Sequence, residues 1–112
     1  MTEIHVTDWP RSLAWYRDVL GLSVRLEDAP RRFALLEAGP GRVALKGDDS
    51  SKGPRDSARL VFQVDDLDVE RARLLSLGET VDPVIEHLDE RFHEARLLDP
   101  DGTPITLFAW SH

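Results

Sequence analysis

Glu3 and His5 stand two residues apart in Glu3-Ile4-His5-Val6-Thr7, a stretch that alternates polar and apolar side chains. That period reads as a short strand with both titratable groups on one face. A carboxylate beside an imidazole can remove a proton, and a guanidinium nearby can steady the anion that results. Glu3 and His5 are therefore the candidate catalytic residues. The same alternation puts Arg42 and Lys46 together, Arg59 with Val61 and Gln63, and Thr106 with Phe108 and Trp110. Cations, an amide and a hydroxyl beside two aromatic rings suit a planar or conjugated small molecule with an anionic group. Arg59 or Arg42 would hold the anion, and Trp110 or Phe108 would stack on the plane. His5, Arg42, Lys46, Arg59, Gln63, Thr106, Phe108 and Trp110 form the expected ligand-binding set. A solvated Arg42 beside its turn, and a Trp110 that closes the barrel or contacts a second subunit, are the structural alternatives.

Other chemistries lack their residues. The 112-residue chain has no cysteine, which removes disulfides, thiolate nucleophiles and Cys-bound zinc. There is no G-x-S-x-G pattern and no glycine-rich phosphate loop after a strand. A formal charge of −7 disfavours nucleic acid, whose phosphates are met by clustered Lys and Arg. His87 and His93 lie near the second hairpin, but their spacing demands no metal, and His112 is terminal. No apolar run approaches the roughly 20 residues that span a bilayer. The first residues resemble no signal peptide, so a cytoplasmic location is expected. The excess of arginine over lysine points to a GC-rich bacterial genome.

The positioning elements follow from the hydrophobic periods. Asp8 caps a helix with Pro10 in its first turn, and Trp9, Leu13, Tyr16 and Leu20 share one helical face up to Gly21. Leu22 to Glu27 reads as a strand, and Phe33 to Glu37 pairs with Val43 to Lys46. Residues 47–57 hold no apolar side chain and read as a linker. The order then restarts. Leu60 to Val64 is a strand, and Asp66 or Asp68 caps a helix carrying Leu67, Leu74 and Leu77. Thr80 to Glu86 contains a strand weakened by Pro83. Phe92 to Leu98 pairs with Ile105 to Trp110 across Asp99-Pro100-Asp101-Gly102. Leu36 to Leu98, Val43 to Ile105 and Leu45 to Leu107 share one offset of 62, which marks an internal repeat. Residues 1–46 and 58–112 are the two expected modules of one α+β domain covering 1–112. Val43, Leu45, Leu60, Phe62, Ile105 and Leu107 face the helices as core.

Asp8-Trp9-Pro10-Arg11-Ser12-Leu13-Ala14-Trp15-Tyr16-Arg17-Asp18-Val19-Leu20-Gly21-Leu22 resembles the first helix of the vicinal oxygen chelate superfamily. This is the group of glyoxalases, bleomycin resistance proteins and extradiol dioxygenases. Phe62-Gln63-Val64-Asp65-Asp66-Leu67-Asp68, and Leu98-Asp99-Pro100-Asp101-Gly102 with Ile105-Thr106-Leu107-Phe108, resemble its second-half signatures. The resemblance implies two βαβββ modules, a curled mixed sheet with helices outside, and a concave ligand cleft. It places the strand faces named above inside that cleft, and it implies a homodimer.

Metal-dependent members of the superfamily set His, Glu or Gln on the first and fourth strands of each module. Those positions fall here on Met1, Ala44, Arg59 and Thr106, which make no site for a divalent ion. Arg59 would repel one, and His5 alone supplies too few ligands. No cofactor is therefore expected. The leading reading is a metal-independent protein that binds, and sequesters, a small aromatic or anionic compound. The rival is a metal-dependent lyase, isomerase or dioxygenase with non-standard ligands. A third is a partner domain in which the acidic surface matters more than the cleft.

Overall fold

The computed structural model describes residues 2–39, 41–47 and 60–111. In chain order they form β1 (Thr2–Val6), α1 (Trp9–Ala14) continued by a π-helical turn (Trp15–Val19), β2 (Ser23–Asp28), β3 (Phe33–Ala38) and β4 (Gly41–Gly47). β5 (Leu60–Gln63), α2 (Leu67–Ser76), β6 (Ile85–His87), β7 (Phe92–Leu98) and β8 (Pro104–Trp110) follow. The strands make two four-stranded mixed sheets, β1-β4-β3-β2 and β5-β8-β7-β6. In each, the first strand runs parallel to the last and the other neighbours are antiparallel. The parallel pairs need a crossover, which α1 and α2 supply. The architecture is the α+β one expected. Contacts divide it into two compact units, Met1–Ala58 with Asp99–Gly102, and Arg59–Leu98 with Thr103–His112. Of the expected linker 47–57, Gly47 is the last residue of β4, and the rest lies outside the described residues, as do Met1, Arg59 and His112.

In the first unit, Asp8 caps α1 by accepting from the Arg11 N–H at 3.2 Å. The helix then takes in one extra residue: Leu20 N–H donates to Trp15 O, five residues back, at 3.1 Å. That π turn brings the consecutive Trp15 and Tyr16 both inward, rings edge to face at 5.0 Å. Leu20, expected on the same stripe, is only half-buried, because the added residue shifts the phase of everything after it. One face of the sheet supplies Ile4, Val6, Ala34, Leu36, Val43 and Leu45 to the core, with Trp9, Leu13 and Tyr16 from the helix. Gly47 ends β4 under the start of α1. A Cβ there would meet Arg32 Cβ at 2.7 Å and Trp9 Cβ at 3.1 Å. Gly47→Ala is expected to lower unfolding stability by about 1–3 kcal/mol through overpacking, read as a fall in the urea midpoint at unchanged m-value.

The internal repeat is visible in the backbone. Arg32 and Arg91 each hold a left-handed conformation, φ 50° and 58°, immediately before β3 and β7. Each carbonyl accepts a 2.8 Å bond from the end of the sheet's last strand, from Gly47 N–H, the last residue of β4, to Arg32 and from Ser111 N–H, just past β8, to Arg91. The register of the repeat differs from the expected one. Leu36 pairs with Val43, whereas Leu97, not Leu98, pairs with Ile105. The turn between β7 and β8 is one residue longer than its counterpart, so the offset is 62 along β4/β8 but 61 along β3/β7. Leu36 and Leu97 are buried at 0% and 4% exposure, while Leu98 is 60% exposed.

In the second unit, Asp66 rather than Asp68 caps α2, accepting from Val69 N–H at 3.1 Å. Leu67 and Leu74 are fully buried, but Leu77 is 52% exposed. Leu77, expected on the helix, falls outside it because the helix ends at Ser76 and Leu77 leaves helical geometry at φ −85°, ψ 1°. The expected strand from Thr80 to Glu86 shrinks to Ile85–His87. Pro83 has no N–H for a ladder, and Val81 is buried at 5% while Asp82 N–H bonds Arg96 O at 2.9 Å. None of the helices among the described residues is long and apolar enough to cross a membrane.

Candidate functional site

Period-two alternation sorts each sheet into a helix-packed face and an opposite one. In the second sheet, Ala95, Leu97, Ile105 and Leu107 are buried on the side of α2. The opposite face is built by the pairs Phe92 with Trp110, Glu94 with Phe108, and Arg96 with Thr106. Gln63 joins it from β5 beside Phe108, and His87 from β6 beside Phe92. Four of the expected ligand-binding residues, Gln63, Thr106, Phe108 and Trp110, are thus brought onto one face. Thr106 is 6% exposed and Trp110 51%.

The rings on this face do not stack in parallel. Phe92 and Phe108 are 6.3 Å apart at 84°, Phe92 and Trp110 6.3 Å at 77°, and Phe108 and Trp110 5.6 Å at 88°. His87 covers Phe92 as a stacked neighbour at 4.4 Å. Glu94, buried at 9% exposure, accepts from Arg96 Nη2 at 3.1 Å through Oε1. His87 Nε2 lies 3.4 Å from the same oxygen. The approach lacks hydrogen-bond alignment, and this buried nitrogen has no hydrogen-bond partner among the described residues. Beyond Arg96 the face borders a recess of about 490 Å³ lined by Glu79, Thr80, Asp82, Leu98 and Pro104.

In the first sheet, β1 and β4 set Glu3 beside Ala44 and His5 beside Lys46. His5 Nε2 lies 3.6 Å from Glu3 Oε1, so the two candidate catalytic residues do share a face. The cations beside them are engaged. Lys46 Nζ donates to Arg31 O at 3.0 Å. Arg42 lies 3.5 Å from Glu37, which Arg25 also approaches at 3.2 Å.

Two of the four positions where metal-dependent relatives carry ligands are described. Ala44 has no donor atom and is buried at 2% exposure. Thr106 offers one neutral hydroxyl, and Met1 and Arg59 lie outside the described residues. Among the described residues no three His, Asp or Glu side chains are grouped to hold an ion. Between them Ala44 and Thr106 offer a divalent ion one neutral oxygen.

Phe92, Glu94, Arg96 and His87 were not among the expected site residues. Phe92, Glu94 and Arg96 alternate in sequence, but their facing depends on the one-residue shift across the Asp99–Gly102 turn. His87 arrives through the short β6. His93 points the other way: its Nδ1 lies 3.0 Å from Ser111 Oγ, which donates to Glu86 Oε1 at 3.1 Å. This chain of bonds ties the end of the chain to β6 and β7.

The Asp99-Pro100-Asp101-Gly102 motif is structural. Tyr16 OH donates to Asp99 Oδ2 at 2.6 Å, and Asp101 N–H donates to Asp99 Oδ1 at 2.9 Å. Asp101 in turn accepts from Thr7 N–H at 2.9 Å and from Thr7 Oγ1 at 2.7 Å. Burial first, then the charge of Asp99 and its hydrogen bond, push the Tyr16 phenol far above its ordinary value.

The sequence profile described as glyoxalase-like domain matches residues 1–108. No curated protein sequence matches the chain. Among solved structures, an integron cassette protein from the mobile metagenome of the Halifax Harbour sewage outfall superposes with a TM-score of 0.84. It is 21% identical, over 96% of this chain and 93% of that one. TnmS3, an antibiotic binding protein from Streptomyces sp. CB03234, is 25% identical with a TM-score of 0.78, over 97% and 92% of the two chains. A lactoylglutathione lyase from Agrobacterium tumefaciens shares the fold at 19% identity and a TM-score of 0.77, over 97% and 91%.

Proposed function

The chain belongs to the glyoxalase-like domain family, and from that premise we propose that it is a metal-independent binding protein that sequesters a small aromatic compound. The observation that carries this reading is the cluster of Phe92, Phe108 and Trp110 on the face of the second sheet that its helix leaves free. Trp110 is 51% exposed there, so an aromatic surface beside Phe92 and Phe108 is open for a ligand to cover. The expected anion-holding cations give less support, since Arg42 bridges Glu37 and Lys46 caps a turn carbonyl. The antibiotic binding neighbour lends the same direction at 25% identity. Ala44 and Thr106, where an ion would be held, favour binding without a metal. The reading includes a homodimer acting in the cytoplasm, for which light scattering should give twice the 12.7 kDa chain mass.

Thermal-shift and fluorescence titration with planar antibiotics and aromatic acids, with and without a chelator, tests the proposal. Trp9 and Trp15 are buried, so a ligand on this face should quench Trp110 selectively. Binding should survive the chelator, and Trp110→Ala should weaken it by about tenfold or more. Stoichiometric Ni, Zn, Fe or Mn in the purified protein, with binding abolished by chelation, would reinstate the metal-dependent enzyme.

A further inference from the structure

Phe92, Trp110, Phe108 and Glu94 occupy a square of same-face positions on two paired strands, Phe92 opposite Trp110 and Glu94 opposite Phe108. Three corners are aromatic and the fourth is a carboxylate. The rings are close to mutually perpendicular, at 77°, 84° and 88°, with centroids 6.3, 6.3 and 5.6 Å apart. At those spacings a cation seated at this aromatic corner, where the three rings meet, lies within the roughly 6 Å of each ring over which cation–π attraction acts. Rings at these angles offer no flat platform for another plane.

The fourth position supplies the counter-charge. Glu94 accepts from Arg96 through Oε1, and among the described residues no hydrogen bond reaches Oε2. Arg96 lies 3.1 Å from that carboxylate and is thereby tied to it. Glu90 approaches His87 at 3.8 Å from the turn above, adding negative charge beside the rings. The whole chain carries −7, which raises the local concentration of small cations.

We propose that this corner binds an ammonium-type cation, the protonated or quaternised amine of an aromatic ligand, with Glu94 as its counter-ion. The assignment rests on the binding reading above and specifies the charge of the ligand, opposite in sign to the anion expected from the sequence.

The test compares three probes of similar size on the intact protein by ligand-observed NMR titration: phenyltrimethylammonium, its neutral isostere tert-butylbenzene, and benzoate. The cation should bind about tenfold or more tightly than the isostere, with benzoate weakest. Glu94→Gln should bring the cation down to the isostere's affinity and leave the isostere unchanged. Trp110→Leu, at a half-exposed position, should weaken the cation most. Equal binding of cation and isostere, or cation binding unmoved by Glu94→Gln, overturns the charge assignment while the aromatic reading stands; cation binding unmoved by Trp110→Leu overturns both. If none of the three binds, both are overturned.

Discussion

Replacing Leu97 with alanine is expected to cost about 2–5 kcal/mol of unfolding free energy, while the same change at its neighbour Leu98 should cost less than about 0.5 kcal/mol. Leu97 is 4% exposed and pairs with Ile105 at the centre of the second core. Truncating it removes buried methyl groups and leaves a cavity that the surrounding Ala95, Ile105 and Leu107 cannot fill, because each is held by its own strand. Leu98 is 60% exposed, so its side chain has already kept most of its contact with water. Urea denaturation of the two variants at equal m-value reads the difference. The result also decides the repeat register. A gapless offset makes Leu98 the counterpart of the fully buried Leu36, and would reverse the order of the two costs.

Tyr16→Phe is expected to destabilise the protein by about 1.5–3 kcal/mol near neutral pH, the range for a hydrogen bond to a charged group. The phenol is fully buried and its 2.6 Å bond to Asp99 holds the β7–β8 turn within the first unit. Phenylalanine keeps the ring and its edge contact with Trp15 but leaves Asp99 Oδ2 without that donor. The same bond makes stability depend on alkaline pH, with a definite sign. In the unfolded chain Tyr16 ionises near its ordinary value of about 10, whereas in the folded chain it stays protonated well beyond that. Above about pH 10 the unfolded state therefore binds fewer protons, and stability falls by up to about 1.4 kcal/mol per pH unit. Below that pH the contribution is present in full. Tyr16→Phe should lack this slope. Tyr16 is the sole tyrosine of the chain, so tyrosinate absorbance reports it alone. It should rise together with the loss of tertiary structure rather than before it, and a native chain that titrates near pH 10 would refute the buried bond.

Much of the fold was legible because local chemistry writes it twice. Asp8 and Asp66 cap helices that begin where a strand's alternation ends, and each helix is followed by three strands in the same order. Capping and period-two alternation are properties of neighbouring residues, so they survive in a single sequence. Half of the candidate site was legible for the same reason, since Thr106, Phe108 and Trp110 share a parity within one strand. What was missed depends on distance along the chain. Phe92 and Glu94 reach the face of Phe108 only because β7 pairs with β8 across a turn one residue longer than its counterpart. One residue of register exchanges the two faces of a strand. Leu77 and Leu20 were misplaced where a helix end and a π turn broke a period that letters alone show as continuous.

By itself, then, the order of apolar, capping and turn residues determined two βαβββ modules, their helices and the buried faces of their strands. Those choices are settled by which side chains leave water, and the residues concerned lie within a few positions of one another. Only the tertiary structure decided that the Asp99 and Asp101 carboxylates are bound by Tyr16 and Thr7, that Arg42 and Lys46 are already engaged, and that Glu94 completes a square with three rings. Each of these pairs groups that are distant in the chain or lie on different strands. Their meeting is fixed by hydrogen-bond register and turn length, which cost almost nothing to change in the unfolded chain and cannot shift in the folded one.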